Sequence, residues 1–289
     1  MFDNLLRFQN FRYFWWFLGS VIAGWILYAS HSSTEPANGG TWQGYVLGTW
    51  AAGLIVLLAL LGFRKRSYRS RLGTTQGWTS AHIYLGLALW FLATLHCAAQ
   101  FGWNVHTLAY ALMCLVIVSG MFGVYTYLNY PRRMTANRSG SNRSELFAEL
   151  YELNGRGAEL ARSCAADIQT AVLSSIERTT VGGSIPAQLT GKDSSRFETL
   201  EDGASHNRDQ EAIIAYVSTR IPKAEKRAEV SYLQDLLAVL CRRQAILRRL
   251  RQDVRFQGWL KAWLYLHVPI TAATVVALGV HIVSTFIYW

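Results

Sequence analysis

The sequence predicts an all-α fold: an integral membrane bundle of five transmembrane helices with a helical cytoplasmic insert. Three observations lead there. Of 289 residues, 51% are apolar, 11 are Trp and only 16% are charged. The charges are clustered, leaving long windows without Asp, Glu, Lys or Arg. Five such windows, residues 13–30, 42–63, 80–101, 104–128 and 262–287, are long enough to cross roughly 30 Å of hydrocarbon as helices. The layout is an N-terminal helix in 1–30, helices two to four in 31–130, the insert in 131–261 and a closing helix in 262–289.

The first window follows Arg7 and Arg12 and ends in small residues, as a signal peptide does. Its aromatic content and length favour a retained helix. The second carries Gly48 and Gly62 and runs into a cationic segment with Arg64, Lys65, Arg66, Arg69 and Arg71. The third holds His82 and His96, and the fourth has His106 near its start. At NYPRRM the composition changes, with Pro131, Arg132 and Arg133 marking the membrane exit. The fifth window holds His267 and His281.

Within the insert, Leu146, Leu150, Leu153, Leu160, Cys164, Ile168 and Val172 recur at helical spacing and predict a helix over 144–177. Glycines and Pro186 make 178–208 a loop, and Leu233, Leu237, Leu240, Leu247, Leu250 and Val254 predict a second helix over about 224–256. The two form an antiparallel hairpin. Arg242, Arg243, Arg248, Arg249, Arg251 and Arg255 of the second are expected to face solvent, lipid headgroups or a partner subunit.

Lys and Arg concentrate in 64–79 and 131–261 and are missing from 31–41, 102–103 and 288–289. The positive-inside rule then puts the N-terminus and the insert in the cytoplasm and the C-terminus outside, in the inner (plasma) membrane of a bacterium. The net charge of +10 reads as this bias, and as attraction to anionic membrane lipid, with no nucleic-acid partner. Cys97, Cys114, Cys164 and Cys241 form no C-x-x-C and no C-x-x-C-H, which argues against an iron–sulfur cluster, structural zinc or covalently attached haem. A P-loop, a dinucleotide fingerprint and a hydrolytic triad are all missing, so no catalytic site for bond chemistry is recognised.

His82 and His96 are fourteen residues apart, as are His267 and His281. In an α-helix the two members of each pair project from nearly the same face, roughly 21 Å apart along the axis. The third and fifth windows both run from inside to outside, so His82 meets His267 at the inner level and His96 meets His281 at the outer one. Two neutral imidazoles facing each other in an apolar bundle suit the axial positions of a haem iron, whereas tetrahedral zinc wants further ligands. Polar groups at membrane depth are costly and usually functional. Gly48 and Gly62 share the spacing of fourteen on an antiparallel helix, near the depths of His96 and His82, where a missing side chain admits a flat macrocycle. Arg64, Arg66, Arg69, Arg132 and Arg133 are candidates to bind the inner propionates; outside, His106, Asn104, Trp42, Gln43 and Trp103 must serve. His31 and His206 receive no site role.

Two histidines per helix, with Gly48 and Gly62 on the preceding helix, resemble the haem-binding four-helix bundle of cytochrome b from the quinol:cytochrome c reductases. The extra N-terminal helix, with histidines on the third and fifth spans, is similar to the membrane domain of ferric reductases and NADPH oxidases. The resemblance covers 13–128 and 262–289 and implies a di-haem cytochrome b with two non-covalent haems b. The flavin domain of the one family and the Pro-Glu-Trp-Tyr-type quinol motif of the other do not occur, and 131–261 matches neither. The expected function is transmembrane electron transfer as one subunit of a larger membrane oxidoreductase. Quinone, a c-type cytochrome or a cytoplasmic iron–sulfur or flavin protein would be its redox partner. A histidine-dependent metal or proton transporter is the alternative, weakened because none of the four core windows contains Asp or Glu.

Overall fold

The computed structural model describes residues 3–32, 36–67, 72–200, 203–223 and 227–287, and these are mostly helical. The chain divides into two compact units, one made of 1–128 with 262–289 and the other of 129–261.

In the first unit a single turn, α1 (Asp3–Leu6), precedes α2 (Arg12–Ala29), α3 (Trp42–Arg66), α4 (Thr75–Cys97) and the membrane part of α5 (Val105–Arg138). The last apolar window lies in α10 (Arg227–Ile287). Four helices, α3, α4, α5 and α10, are long and apolar enough to cross a membrane. The first window does form a helix, α2, whose 18 residues begin with the charged Arg12.

Local chemistry sets the ends. Thr41 and Thr74 cap α3 and α4 by accepting the amide N–H of Gly44 and Gly77, each at 3.1 Å. α4 stops just after His96 because Ala98 and Ala99 both adopt left-handed backbone, at φ 46° and 56°. The helices are joined by an apolar seam of Leu47, Ala51 and Leu54 from α3, Ala88, Leu89, Leu92 and Ala93 from α4, and Met113 from α5. Gly24 lets α2 approach this seam, since a Cβ there would sit 2.6 Å from Leu92. α4 packs closely on α2 and α3.

The second unit differs from the expected hairpin. The window 144–177 is two helices, α6 (Arg143–Arg162) and α7 (Ala166–Glu177), broken between Ser163 and Ala165. A capping box between Asn142 and Glu145 starts α6. The loop 178–208 contains a short helix, α8 (Ile185–Thr190), and strands β1 (Arg196–Thr199) and β2 (Gly203–His206), paired antiparallel with Arg196 opposite His206. α9 (Glu211–Arg220) then supplies Ile213 and Val217 to a core shared with Ile168, Val172, Phe197, Leu233 and Leu240. The apolar periodicity was helical in 144–177 and in 224–256; it did not carry the break in the first, while the second continues unbroken within α10 from Arg227, its residues 224–226 lying outside the described ones.

The arginine face is corrected as well. Arg243 is 1% exposed and donates to Asn154 Oδ1 (2.7 Å), Thr179 Oγ1 (2.7 Å) and Gln210 Oε1. Burial without a carboxylate partner pushes its pKa down to about 10. Arg251 binds Asp193 (2.8 Å) and the Thr180 carbonyl (2.9 Å). Arg242 and Arg248 keep the exposure expected of them, pairing with Glu149 and Asp209. Asn154 of α6, Thr179 and Thr180 after α7, Asp193 and Gln210 meet this part of α10 and take Arg243 and Arg251 out of solvent.

Candidate functional site

In the first unit the four histidines meet as two pairs. The ring centroids of His82 and His267 are 6.4 Å apart and those of His96 and His281 6.1 Å. Because the earlier histidine of α4 meets the earlier one of α10, the two helices run in the same direction here. A metal held by two imidazole nitrogens at about 2.0–2.1 Å, each ring centre lying ~1.1 Å beyond its nitrogen, requires centroids ~6 Å apart. Both pairs are spaced for one ion between two rings, with ring planes inclined at 66° and 87°.

Each imidazole is held through the same atom. His82 Nδ1 donates to the Leu58 carbonyl (3.2 Å) and His96 Nδ1 to the Gly44 carbonyl (2.7 Å), both on α3. His267 Nδ1 lies 2.7 Å from Ser119 Oγ on α5. That hydroxyl already donates to the Val116 carbonyl (2.8 Å), so it accepts from His267. His281 Nδ1 faces Nδ1 of His106, also on α5, within hydrogen-bond reach. A carbonyl can only accept, and the Ser119 hydroxyl accepts here, so these anchors fix the Nδ1–H tautomer of His82, His96 and His267 and leave Nε2 with its lone pair free, while at His281 the direction depends on the tautomer of His106. No hydrogen bond to any of the four Nε2 atoms occurs among the described residues. Ligating histidines are typically oriented in this way, by an outer partner on the other ring nitrogen.

The spacing of fourteen reappears in the anchors. Gly44 and Leu58 are fourteen residues apart on α3, and Leu58 pairs with His82 as Gly44 does with His96. Gly48 lies one turn beyond Gly44 and is packed on a ring: a Cβ there would sit 2.7 Å from His96 Cε1 and 2.8 Å from Nδ1. At Gly62 the space is open: a Cβ there meets nothing within 4 Å. At the level of His82 the α3 contact is the Leu58 carbonyl. Two glycines outside the expected set also approach the rings: a Cβ on Gly39 would lie 3.3 Å from His96, and one on Gly120 would lie 3.5 Å from His267.

A cavity of about 510 Å³ opens beside His96 and His281, within the range of cofactor sites. Its walls come from α3, α4, α5 and α10 and are mainly apolar, with Gln100, Asn104, His106 and Thr107 as polar groups. Of the outer candidates, Asn104 and His106 therefore reach the cavity, with His106 engaged on His281. Gln43 is buried and donates to the Ser30 carbonyl (3.3 Å), while Trp42 and Trp103 are exposed.

Among the inner cations, Arg64 donates to the carbonyls of Ser67 (3.0 Å) and Gly73 (2.6 Å), which spends it on the α3–α4 connection. Arg66 is exposed. Arg69 lies outside the described residues, and Arg132 and Arg133 are exposed on the second unit. Sequence reasoning missed Ser119, a lone hydroxyl on an apolar face, and Trp263, whose Nε1 donates to the Ser119 carbonyl (2.7 Å) and whose ring lies 5.4 Å from that of His267. Gly123 exists to admit that indole, for a Cβ there would collide with it.

No family model, curated protein or solved structure matches this chain.

Proposed function

We propose that this chain is a di-haem cytochrome b, with one non-covalent haem held between His82 and His267 and a second between His96 and His281. The observation that carries the reading is the set of four imidazoles. All are anchored through Nδ1, and they are paired across two helices at 6.1–6.4 Å. Bound haem supplies one-electron chemistry at iron, and the protein sets its ligation and surroundings. The chain's own work is to orient each imidazole through its Nδ1, keep water out with the apolar seam, and stack the two levels roughly 21 Å apart along α4 and α10. Electrons cross between the levels as part of a larger membrane oxidoreductase. Quinone, a c-type cytochrome or an iron–sulfur or flavin protein serves as the external partner.

In this reading α2 is a fifth span. At 18 residues it is ~27 Å long, and Trp15, Trp16, Ile22, Trp25 and Ile26 point outward as lipid-facing residues do. The N-terminus and the unit 129–261 lie in the cytoplasm and the C-terminus outside, on the distribution of Lys and Arg. The protein belongs in a bacterial inner membrane.

The test is a reduced-minus-oxidised absorption spectrum of purified protein, with haem quantified per chain. Two haems and a sharp α-band are expected, with His82→Ala and His267→Ala removing one spectral component and His96→Ala and His281→Ala the other. A protein without the band, or one in which His82→Ala and His281→Ala remove the same component, refutes the assignment. Metal-dependent or proton-coupled flux in vesicles, without haem, would establish the transporter reading in its place.

A further inference from the structure

A second feature of the first unit is independent of the histidines. A surface groove of about 600 Å³ runs along the first half of α2 and reaches Trp50 on α3. Its two ends differ in chemistry. One end is polar, formed by Gln9, Asn10 and Arg12, with Arg12 held at Gln9 by a 3.1 Å hydrogen bond. The other is walled by the indoles of Trp15, Trp16 and Trp50 over a floor at Gly19, where a Cβ would meet nothing within 4 Å. Ser20 also lines it but turns its hydroxyl onto the Trp16 carbonyl (2.8 Å), leaving its surface apolar. From Arg12 to Ser20 the groove is ~12 Å long. Arg12 is the one charge on its lining.

We infer that this groove holds one anionic phospholipid, its phosphate at Arg12, Gln9 and Asn10 and the start of an acyl chain between the tryptophans. Charge complementarity selects this occupant. A neutral quinone head would leave the guanidinium without a counter-charge, and a zwitterionic lipid would bring its own cation beside it. A second copy of the chain is also a poor fit, since its five membrane windows hold no Asp or Glu to meet Arg12. The polarity gradient, cationic at the interface and aromatic deeper in, is that of a single lipid standing upright.

Native mass spectrometry of the full chain in mixed micelles of phosphatidylglycerol and phosphatidylcholine tests this. The wild type should retain one phosphatidylglycerol per chain with about tenfold preference, and Arg12→Lys should keep the preference. Arg12→Gln should bring it close to one, and Gly19→Phe, which fills the floor, should lose the bound lipid. Gly53→Phe is the control, because a Cβ at Gly53 also meets nothing within 4 Å but the residue is outside the groove. The inference is overturned by equal retention of both lipids, by lipid loss in Gly53→Phe as complete as in Gly19→Phe, by a stoichiometric quinone extracted from wild type, or by a chain dimer that dissociates in Gly19→Phe. Because Arg12→Gln alters only exposed polar atoms, the charge arm stands even if Gly19→Phe fails to fold.

Discussion

Replacing Gly48 by Ala puts a methyl group 2.7 Å from His96 Cε1 and 2.8 Å from Nδ1. The ring cannot retreat freely, since its Nδ1 is tied to the Gly44 carbonyl at 2.7 Å. Either the hydrogen bond breaks, at about 0.5–1.5 kcal/mol, or the two helices are forced apart, at about 1–3 kcal/mol for overpacking. Helix propensity returns up to ~1 kcal/mol of backbone stability, but that term does not restore the imidazole. A penalty of about 1–3 kcal/mol on the ligand geometry corresponds to roughly 5- to 150-fold weaker haem affinity at the His96–His281 level. Gly62→Ala has the same propensity gain and no clash, so it should bind haem as wild type does and unfold slightly later. The assay is haem titration into apo-protein, followed by the amplitude of each α-band component. Equal affinity for wild type and Gly48→Ala, or equal losses in Gly48→Ala and Gly62→Ala, would refute the idea that α3 sets the orientation of His96.

Three further outcomes are expected. His106→Phe removes the Nδ1 partner of His281 and should lower affinity or shift the potential of the outer component alone, roughly 10-fold or more in affinity as outer-shell losses generally do; Ser119→Ala should do the same at the inner component through His267, and a redox titration of both variants distinguishes them. Arg138→Ala leaves Asp253 buried without its two 2.8 Å charge-assisted bonds and should destabilise the unit 129–261 by about 3 kcal/mol, read as faster hydrogen exchange over α6 and the first half of α10. Burial by itself raises the Asp193 carboxyl, but hydrogen bonds from Ser195 and the Asp209 amide, together with Arg251, outweigh it and hold the group below its usual value. Its contribution is therefore complete above the unfolded pKa of about 3.9 and is lost as pH falls through the lower folded value, so exchange over 179–210 should accelerate below pH ~4 and should not do so in Asp193→Asn.

Helix content, the apolar windows and the four facing histidines were all readable from the chain. Each depends on one-dimensional periodicity, which an α-helix converts directly into a face. The spacing of fourteen was enough to set His82 opposite His267 and His96 opposite His281 once both helices were given one direction. Other features were not legible, for reasons particular to each. The groups that hold His82 and His96 are backbone carbonyls of Leu58 and Gly44, and every residue has a carbonyl, so no side chain marks the ones that matter. Gly48 and Gly62 look alike in sequence and differ only in what stands opposite them, a ring in one case and open space in the other. His106 and Ser119 gain their roles from residues more than a hundred positions away. Arg243 sits on a stripe that reads as solvated, and only the folding of α6, the segment after α7 and the turn before α9 onto α10 buries it among Asn154, Thr179 and Gln210. Local sequence decides which face a residue occupies. What covers that face is decided by the rest of the chain, because burial and hydrogen-bond partners depend on contacts that helical periodicity does not encode.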